Sequence, residues 1–207
     1  MGGTTVAQEQ VEFYVTPWST EDMSRKQAVL ETDLDTIIID FLPEIAPNHV
    51  GLFIRLAEDG EYDGTTFHRM VKHGIIQGGD PITKNPEESL RYGQGGLGLV
   101  ADELSDATHV RGTVSAIVIP GTLDSSGAQF FICVVAQPGL DGPHTIWGQV
   151  VEGMEVVTKI SEAPVDADGR AAQRVTLRSV KIRDRPPQEP LPFSTEIDQV
   201  LPRAFTV

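Results

Sequence analysis

Two short stretches of the chain are decisive for its interpretation: Tyr62-Asp63-Gly64-Thr65-Thr66-Phe67-His68-Arg69 and Ile76-Gln77-Gly78-Gly79-Asp80-Pro81. In the first, Arg69 stands between Phe67 and Met70, inside an apolar run typical of a strand. A charged side chain in such a run is costly unless it is paired or faces a cleft. Two interpretations are therefore open. Arg69 lines a cleft, or it lies on an edge strand with its guanidinium in water.

The segment around these stretches is rich in glycine. Glycine recurs every few residues from Gly60 to Gly98, and short apolar runs separate the glycines. This pattern indicates strands joined by tight turns and leaves no room for long helices. Further strands are predicted over residues 28–34, 36–42, 112–119, 129–135, 145–151 and 174–182.

Local signals support several of these elements. The β-branched run Ile37-Ile38-Ile39 predicts a well-buried strand that forms a hairpin with the run before it. In the last strand, the apolar alternation shifts by one residue near Arg178-Ser179, which predicts a β-bulge.

Helical patterns occur at only a few places in the sequence. Pro47 suits a first helical turn, and apolar residues from Val50 to Ala57 recur at i, i+3, i+4 and i+7, which predicts a helix over 47–59. A second helix is predicted over 154–161. Ser19 and Asp22 have the spacing of a capping box at the start of a short N-terminal helix over 19–26. Many short strands with few helices indicate an all-β barrel or sandwich.

Composition and charge exclude several classes of function. The chain has 207 residues, of which 40% are hydrophobic and 22% charged, as in an ordinary globular protein. Its length favours one domain with extensions. With 16 basic and 30 acidic residues, the formal net charge is −14. A protein of this charge is not expected to bind nucleic acid or an anionic membrane surface.

Other motifs carry little functional weight. The segment Gly93-Gln94-Gly95-Gly96-Leu97-Gly98 matches G-x-G-x-x-G, but no helical stripe follows it, so we interpret it as a surface loop. None of the five histidines has the spacing of a metal-binding helix pair. Ser125 and Ser126 lack the nucleophile-elbow motif. Cys133, the single cysteine, follows apolar residues and is predicted to be buried.

The two opening stretches resemble the cyclophilin family of peptidyl-prolyl isomerases. So do Gly127-Ala128-Gln129-Phe130-Phe131-Ile132 and Leu140-Asp141-Gly142-Pro143-His144-Thr145. The resemblance runs from about Ala28 to Asp184. It implies a closed eight-stranded antiparallel β-barrel capped by two α-helices, with the active site in a groove outside the barrel. It also implies isomerisation of X-Pro bonds in peptides and unfolded chains, a monomeric protein, and no metal, nucleotide or redox cofactor. The alternative is a binding module of the same fold that holds prolyl peptides with little turnover.

The resemblance assigns roles residue by residue. Arg69 matches the catalytic arginine, and Gln77 matches the glutamine that supports it. The walls of the proline pocket match Phe131, Ile75 and Leu140. Three further positions match the groove or its edge: His68, Gln129 and His144.

The sequence departs from the family pattern at several positions. Gly74 stands where a phenylalanine usually walls the pocket. Gly139 stands where many members have a tryptophan that contributes to contact with cyclosporin. The segment that begins Ser115-Ala116-Ile117-Val118 differs from the family's, and two extra residues follow within 119–123.

Both termini extend beyond the region of resemblance. We divide the chain into an N-terminal extension (1–26), an isomerase domain (27–184) and an extended C-terminal tail (185–207). The tail is expected to pack on the barrel or on Trp18. The first residues do not have the pattern of a signal peptide. The compartment stays open between the cytoplasm and, if a leader preceded this sequence, the periplasm or exterior.

Overall fold

The first two strands form the predicted hairpin. Strand β1, Lys26–Thr32, pairs antiparallel with β2, Thr36–Phe41. The turn between them is closed by Thr32, whose backbone N–H and hydroxyl both donate to the Asp35 carbonyl.

The structure is a computed structural model, and it describes residues 12–97, 99–118, 120 and 124–187.

The other strands and the helices follow in chain order. The strands are β3 (Thr65–Thr66), β4 (Arg69–Met70), β5 (Ile75–Gly78), β6 (Thr113–Val118), β7 (Ser125–Cys133), β8 (Ile146–Glu152) and β9 (Thr176–Asp184). The α-helices are α1 (Thr20–Ser24), α2 (Pro47–Glu58) and α3 (Met154–Ser161), and 3-10 helices cover Pro81–Lys84, Pro86–Arg91 and Pro138–Leu140.

The strands form one curled antiparallel sheet in the order β3-β9-β1-β2-β8-β6-β7-β5-β4. The all-β class is therefore right, but the described residues contain nine strands and not eight. The count differs because residues 65–70 contribute two short strands at opposite ends of the sheet, separated by Phe67 and His68. The division of this segment into two strands follows from its two partners, because β3 pairs with β9 and β4 pairs with β5.

The bulge predicted in the last strand is confirmed. Glu31 of β1 pairs with Ser179, and Thr32 pairs with Leu177, which leaves Arg178 without a partner in the ladder. The extra residue restores the phase, so that Leu177 and Val180 both point into the core. Arg178 itself is exposed and forms an ion pair with Asp33.

Helix α2 obtains its N-terminal cap from a distant residue. Ala46 at the cap position has no side-chain acceptor. The carboxylate of Glu103 replaces it by accepting hydrogen bonds from the backbone N–H groups of Asn48 and His49 and from both of their side chains, at 2.7–3.0 Å. Burial opposes ionisation of Glu103, but these hydrogen bonds outweigh it and lower its pKa. The helix is thus tied to the long loop that leads into β6.

Aromatic rings fill the space between α2 and the sheet. The ring of Phe53 lies 4.7 Å from that of Tyr62 and 4.6 Å from that of Trp147, centroid to centroid. Phe130 contacts the same group edge-on at 5.8 Å from Phe53. All four side chains are buried. They anchor the helix over the strands that carry the site.

The described parts of both predicted extensions contact the rest of the chain. Ser19 caps α1, as predicted, and Trp18 packs against the core. In the tail, the backbone N–H of Arg185 donates to the Arg25 carbonyl, and its guanidinium pairs with Asp40. The docking expected farther along the tail, over 188–207, lies outside the described residues. No helix in the described part of the chain is long and apolar enough to cross a membrane.

Candidate active site

One row of side chains crosses four neighbouring strands. Arg69 of β4 lies directly opposite Gln77 of β5, Gln77 lies opposite Phe131 of β7, and Phe131 lies opposite Ser115 of β6. Side chains directly opposite one another in an antiparallel pair project from the same face of the sheet. The register therefore brings the predicted catalytic arginine, its predicted support and a predicted pocket wall onto one face.

The next row faces the other way. Met70, Ile76, Ile132 and Val114 pair across the same four strands, and each is buried in the hydrophobic core. Because side chains alternate along a strand, the row that contains Arg69 lies on the outside of the curled sheet. Phe131 is only 1% exposed, yet it stands apart from that core cluster. It is therefore available to form the floor of an external groove.

Two histidine rings hold Phe131. The ring of His109 is stacked on it with centroids 5.7 Å apart and 16° between the planes. The ring of His144 meets it edge-on at 5.3 Å. Burial lowers the pKa of His144, and the nearby Ala116 carbonyl opposes that change in part. The imidazole of His144, which was predicted at the edge of the pocket, is thus a neutral, half-buried wall.

His109 fastens the segment that carries Leu140. Its backbone N–H donates to Asp141 Oδ1 at 2.7 Å, its Nδ1 lies 2.9 Å from the same oxygen, and its carbonyl accepts from the Gln137 N–H. Because a carboxylate only accepts, Nδ1 carries a proton. Nε2 lies 2.9 Å from the hydroxyl oxygen of Ser115. The ring beneath Phe131 is therefore locked in orientation from both sides.

Asp141 is held as a carboxylate by these contacts. The hydrogen bonds from the backbone and the ring of His109 lower its pKa, against a small opposing effect of burial. Neither His109 nor Asp141 was singled out as a site residue in the sequence. Their positions 32 residues apart follow no local pattern, so only the fold joins them.

The two predicted glutamines bond to each other. Gln77 Nε2 donates to Gln129 Oε1 at 3.0 Å, and Gln129 Nε2 donates to the carbonyls of Gly93 and Gly95. Gln129 is only 4% exposed. Its amide is thus occupied in tying the glycine-rich loop to β7, and its role toward substrate stays a prediction.

Arg69 is exposed, and within the described residues its guanidinium forms no ion pair. No hydrogen bond joins it to Gln77 in that part of the chain, so the proposed support rests on their adjacency across the β4–β5 pair. His68 lines a cavity together with Arg69 and Gln77, and Phe131 is not among the residues that line it. The role of His68 toward substrate stays a prediction.

The two glycine departures differ in the space around them. A Cβ placed on Gly139 would meet nothing within 4 Å, so this side of the groove is open. A Cβ on Gly74 would lie 2.8 Å from a methyl carbon of Val71. Next to it, His73 adopts a φ of 54° in the left-handed region, which is uncommon for a residue other than glycine.

The altered segment after Ser115 is described only in part. Ala116 still pairs with Phe130, but the register shifts before Val118 pairs with Ser125. The two predicted extra residues fall within 119–123, of which Ile119 and 121–123 lie outside the described residues. Over the described ranges, no group of three or more His, Cys, Asp or Glu side chains could hold a metal ion. Cys133 is buried, as predicted.

Comparison with known proteins agrees with this architecture. The chain superposes on a crystal structure of a Cryptosporidium parvum cyclophilin type peptidyl-prolyl cis-trans isomerase with a TM-score of 0.69. At 24% identity, over 77% of this chain and 99% of that one, the match defines the fold. The sequence profile of the family described as cyclophilin type peptidyl-prolyl cis-trans isomerase/CLD matches residues 27–182. The chain belongs to this family.

Three individual relatives show how similar the sequence is to other members of the family. A peptidyl-prolyl cis-trans isomerase of Synechococcus elongatus is 40% identical over 137 residues, which are 65% of this chain and 88% of that protein. Peptidyl-prolyl cis-trans isomerase CYP18-2 of Arabidopsis thaliana is 33% identical over 163 residues, or 78% and 96%. A longer relative, peptidyl-prolyl cis-trans isomerase-like 2 of Gibberella zeae, is 36% identical over 158 residues, which are 75% of this chain but only 26% of that protein. The protein is a cyclophilin-type peptidyl-prolyl cis-trans isomerase.

Proposed function

We propose that Arg69 carries the isomerisation of X-Pro bonds and that the outward row beside it holds the substrate. Rotation about the bond faces a barrier of about 18–20 kcal/mol because the amide has partial double-bond character. The cis and trans states differ by only about 0.5–1 kcal/mol. Catalysis therefore needs no covalent step, only preferential stabilisation of the twisted amide.

The twisted amide differs from the planar one at the prolyl nitrogen, which becomes pyramidal and gains a lone pair. The Arg69 guanidinium is a permanent cation and can donate a hydrogen bond to this nitrogen. No carboxylate of the described residues forms an ion pair with it. Gln77, directly opposite, is the proposed support for the guanidinium.

Phe131, Ile75 and Leu140 are proposed to hold the proline ring, with His144 at the edge. The buried face of Phe131 between two histidine rings supports this assignment, because it gives the proline ring a rigid apolar floor. Ile75 and Leu140 are half-buried, and we place them at its sides. With the ring held, the carbonyl that precedes proline rotates.

Proline-containing peptides are the proposed substrates. A similar cyclophilin was crystallised in the presence of the dipeptide Ala-Pro, and this chain shares its fold. A net charge of −14 argues against nucleic acid as a partner, and we propose that the protein acts as a monomer.

The single observation that carries the mechanism is the row Arg69, Gln77, Phe131. The test is two-dimensional exchange NMR on a short Ala-Pro peptide with catalytic amounts of protein. Exchange cross-peaks that appear with the parent protein and vanish with Arg69→Ala support the proposal. A folded parent that leaves the peptide at its uncatalysed rate would support the alternative of a binding module with little turnover. The open groove at Gly139 and the missing side chain at Gly74 favour that alternative.

We further propose that the sheet closes into the eight-stranded barrel that the resemblance implies. Its two end strands, β3 and β4, are separated by two residues only, and Phe67 and His68 donate backbone hydrogen bonds to Val175 and Gln77 on opposite ends of the sheet. If residues 65–70 are counted as one bent strand that joins the two ends of the sheet, the sheet has eight strands and not nine. Slow hydrogen exchange of the Phe67 and His68 amides would support closure, and fast exchange would contradict it.

A further inference from the structure

A cavity of about 470 Å³ adjoins the proposed catalytic arginine. This volume is within the usual range of ligand pockets. Arg69 and Gln77 line it, whereas Phe131, Leu140 and His144 do not, so it adjoins the proposed proline pocket and shares the arginine with it. Its other walls come from the 3-10 segment Pro86–Arg91 and from the loop that precedes β9.

We propose that this cavity binds an anionic side chain of the substrate, a carboxylate or a phosphate, on the peptide whose prolyl bond lies at Arg69. The inference rests on the proposed function, because it names the class of substrate that the same arginine would select.

The first argument is the placement of positive charge. Arg69 and Arg170 are partners in an antiparallel bridge, and Arg174 lines the same cavity. Like charges directly opposite one another are destabilising. None of these three guanidinium groups forms an ion pair with a carboxylate in the described residues, although the chain contains 30 acidic side chains. An anion between Arg69 and Arg170 would relieve the repulsion.

The second argument is how the local carboxylates are used. Asp166 and Asp168 also line the cavity, so three cations face two anions. Asp166 Oδ1 accepts the backbone N–H groups of Asp168 and Arg170, each at 2.9 Å, and thereby holds its own turn. The Asp166 carboxylate therefore bonds backbone N–H groups and forms no ion pair with the arginines of the cavity. The cavity is left with a net positive wall in an acidic protein.

The third argument is a buried donor without a partner. His68 lines the cavity and is 5% exposed. The Thr66 carbonyl approaches its ring, but neither ring nitrogen makes a hydrogen bond of standard geometry to a described residue. Burial lowers the pKa of His68, so its ring is neutral and offers one N–H donor. A buried polar group without a partner is costly, and an anionic oxygen in the adjoining cavity would satisfy it once the ring turned toward the cavity.

Arg174 is fixed in place before any ligand arrives. Its guanidinium donates to the Tyr92 hydroxyl at 2.9 Å and to the Gly64 carbonyl at 3.4 Å. Arg170 has no such tether and is exposed. Arg170→Gln is therefore the informative variant, because it removes one charge while the described side-chain contacts of the cavity remain.

The experiment compares blocked peptides that contain one Ala-Pro bond. In two series, glutamate or glutamine is placed two residues before or two residues after the proline, and kcat/KM is measured by exchange NMR at low and high salt. In one of the two series, we expect kcat/KM for the glutamate peptide to exceed that for the glutamine peptide about fivefold at low salt. This ratio is the size of effect that one or two partly exposed ion pairs produce. The preference should shrink at high salt. A phosphoserine peptide should be preferred at least as strongly, whereas 5 mM inorganic phosphate should leave turnover of the glutamine peptide within twofold of its phosphate-free value.

Variants complete the test. Arg170→Gln should abolish most of the glutamate preference and leave turnover of the glutamine peptide within twofold of the parent. Asp168→Asn should increase the preference. The matched control is Arg178→Gln, which removes the same charge from the Asp33 pair outside the cavity and should change nothing in the comparison.

Equal kcat/KM for glutamate and glutamine peptides in both series would overturn the inference, as would a preference that survives Arg170→Gln. Loss of turnover of the glutamine peptide in 5 mM phosphate would also overturn it, because the cavity would then select a free ion. If the parent isomerises neither peptide, the proposed function fails independently. In that case, NMR titration followed through the Arg170 and Ala171 amides measures how tightly the same peptides bind. Tighter binding of the glutamate peptide supports the anion site, and equal binding of the two peptides excludes it.

Discussion

The imidazole of His109 lies parallel to the ring of Phe131, with centroids 5.7 Å apart. This one contact links the floor of the proposed proline pocket to the segment that carries Leu140, because the same imidazole is bound to Asp141. The groove is thus shaped from below by a residue that does not line its surface.

Asp141→Ala tests this link. The change removes the acceptor of both the backbone and the ring N–H of His109 and leaves buried donors unsatisfied. We expect the free energy of unfolding to fall below that of the parent, because a buried donor without a partner is destabilising. Asp141→Asn keeps an acceptor oxygen in the same place and should cost clearly less. Urea denaturation measures both, and equal losses for the two variants would show that His109 does not depend on this acceptor.

Arg69→Ala should lower kcat by about 10²–10³, similar to the loss of one oxyanion-hole donor. Peptide affinity should change much less, because the apolar walls provide the binding of the ground state. Arg69→Lys should recover little, since an ammonium does not reproduce the planar guanidinium. Exchange NMR measures turnover, and circular dichroism controls for folding. A folded Arg69→Ala protein within threefold of the parent would exclude the arginine mechanism.

The two glycines of the groove should respond differently to large side chains. Gly139→Trp enters open space, so the free energy of unfolding should change by less than about 0.5 kcal/mol. Gly74→Phe must displace Val71 and should destabilise by about 1–3 kcal/mol.

Cyclosporin binding gives the second measurement on these variants. The parent should bind weakly, and Gly139→Trp should tighten binding by one to two decades, since a fully buried aromatic side chain contributes about 1.5–3 kcal/mol. A parent that already binds as tightly as Gly139→Trp would contradict this expectation.

Stability should fall as the pH falls from 7.5 to 5.5. Burial lowers the folded-state pKa of both His68 and His144 below the ordinary value of 6.5. The unfolded chain therefore binds protons first, and the free energy of unfolding decreases as the pH drops through 6.5 toward the folded values. Urea denaturation at the two pH values measures the effect. His68→Gln should reduce the difference, and a parent protein that gains stability at pH 5.5 would contradict the assignment.

The elements predicted correctly from sequence are those with local signals. The run Ile37-Ile38-Ile39, the apolar face of α2 and the phase shift at Arg178 each reflect burial that repeats with a strand or helix period. Strands β3 and β4 have two residues each, and their pairing with β9 and β5 defines them. Strand β7 begins earlier than expected, at Ser125, because Ser125 pairs with Val118 and also bridges to Val100.

The residues of the candidate site could be predicted from family motifs, but many of the contacts among them could not. The roles of Arg69, Gln77 and the pocket walls came from family motifs, and the strand register brings Arg69, Gln77 and Phe131 onto one face. The contacts among His109, Asp141 and Ser115 could not be predicted, because they join residues from three separate segments. The cavity that His68 shares with Arg69 and Gln77 could not be predicted either, because its walls come from segments far apart in the chain.

The row that crosses four strands also makes turnover a measure of strand register during refolding. Phe130 and Phe131 are adjacent in sequence but face opposite sides of the sheet, one in the aromatic core and one beneath the groove. A slip of β7 by one residue would exchange them and separate Arg69 from its floor. Collapsed chains with near-native strand content but the wrong pairing would therefore be silent in the assay. Isomerase activity should return only when the last of the four strands has found its partner.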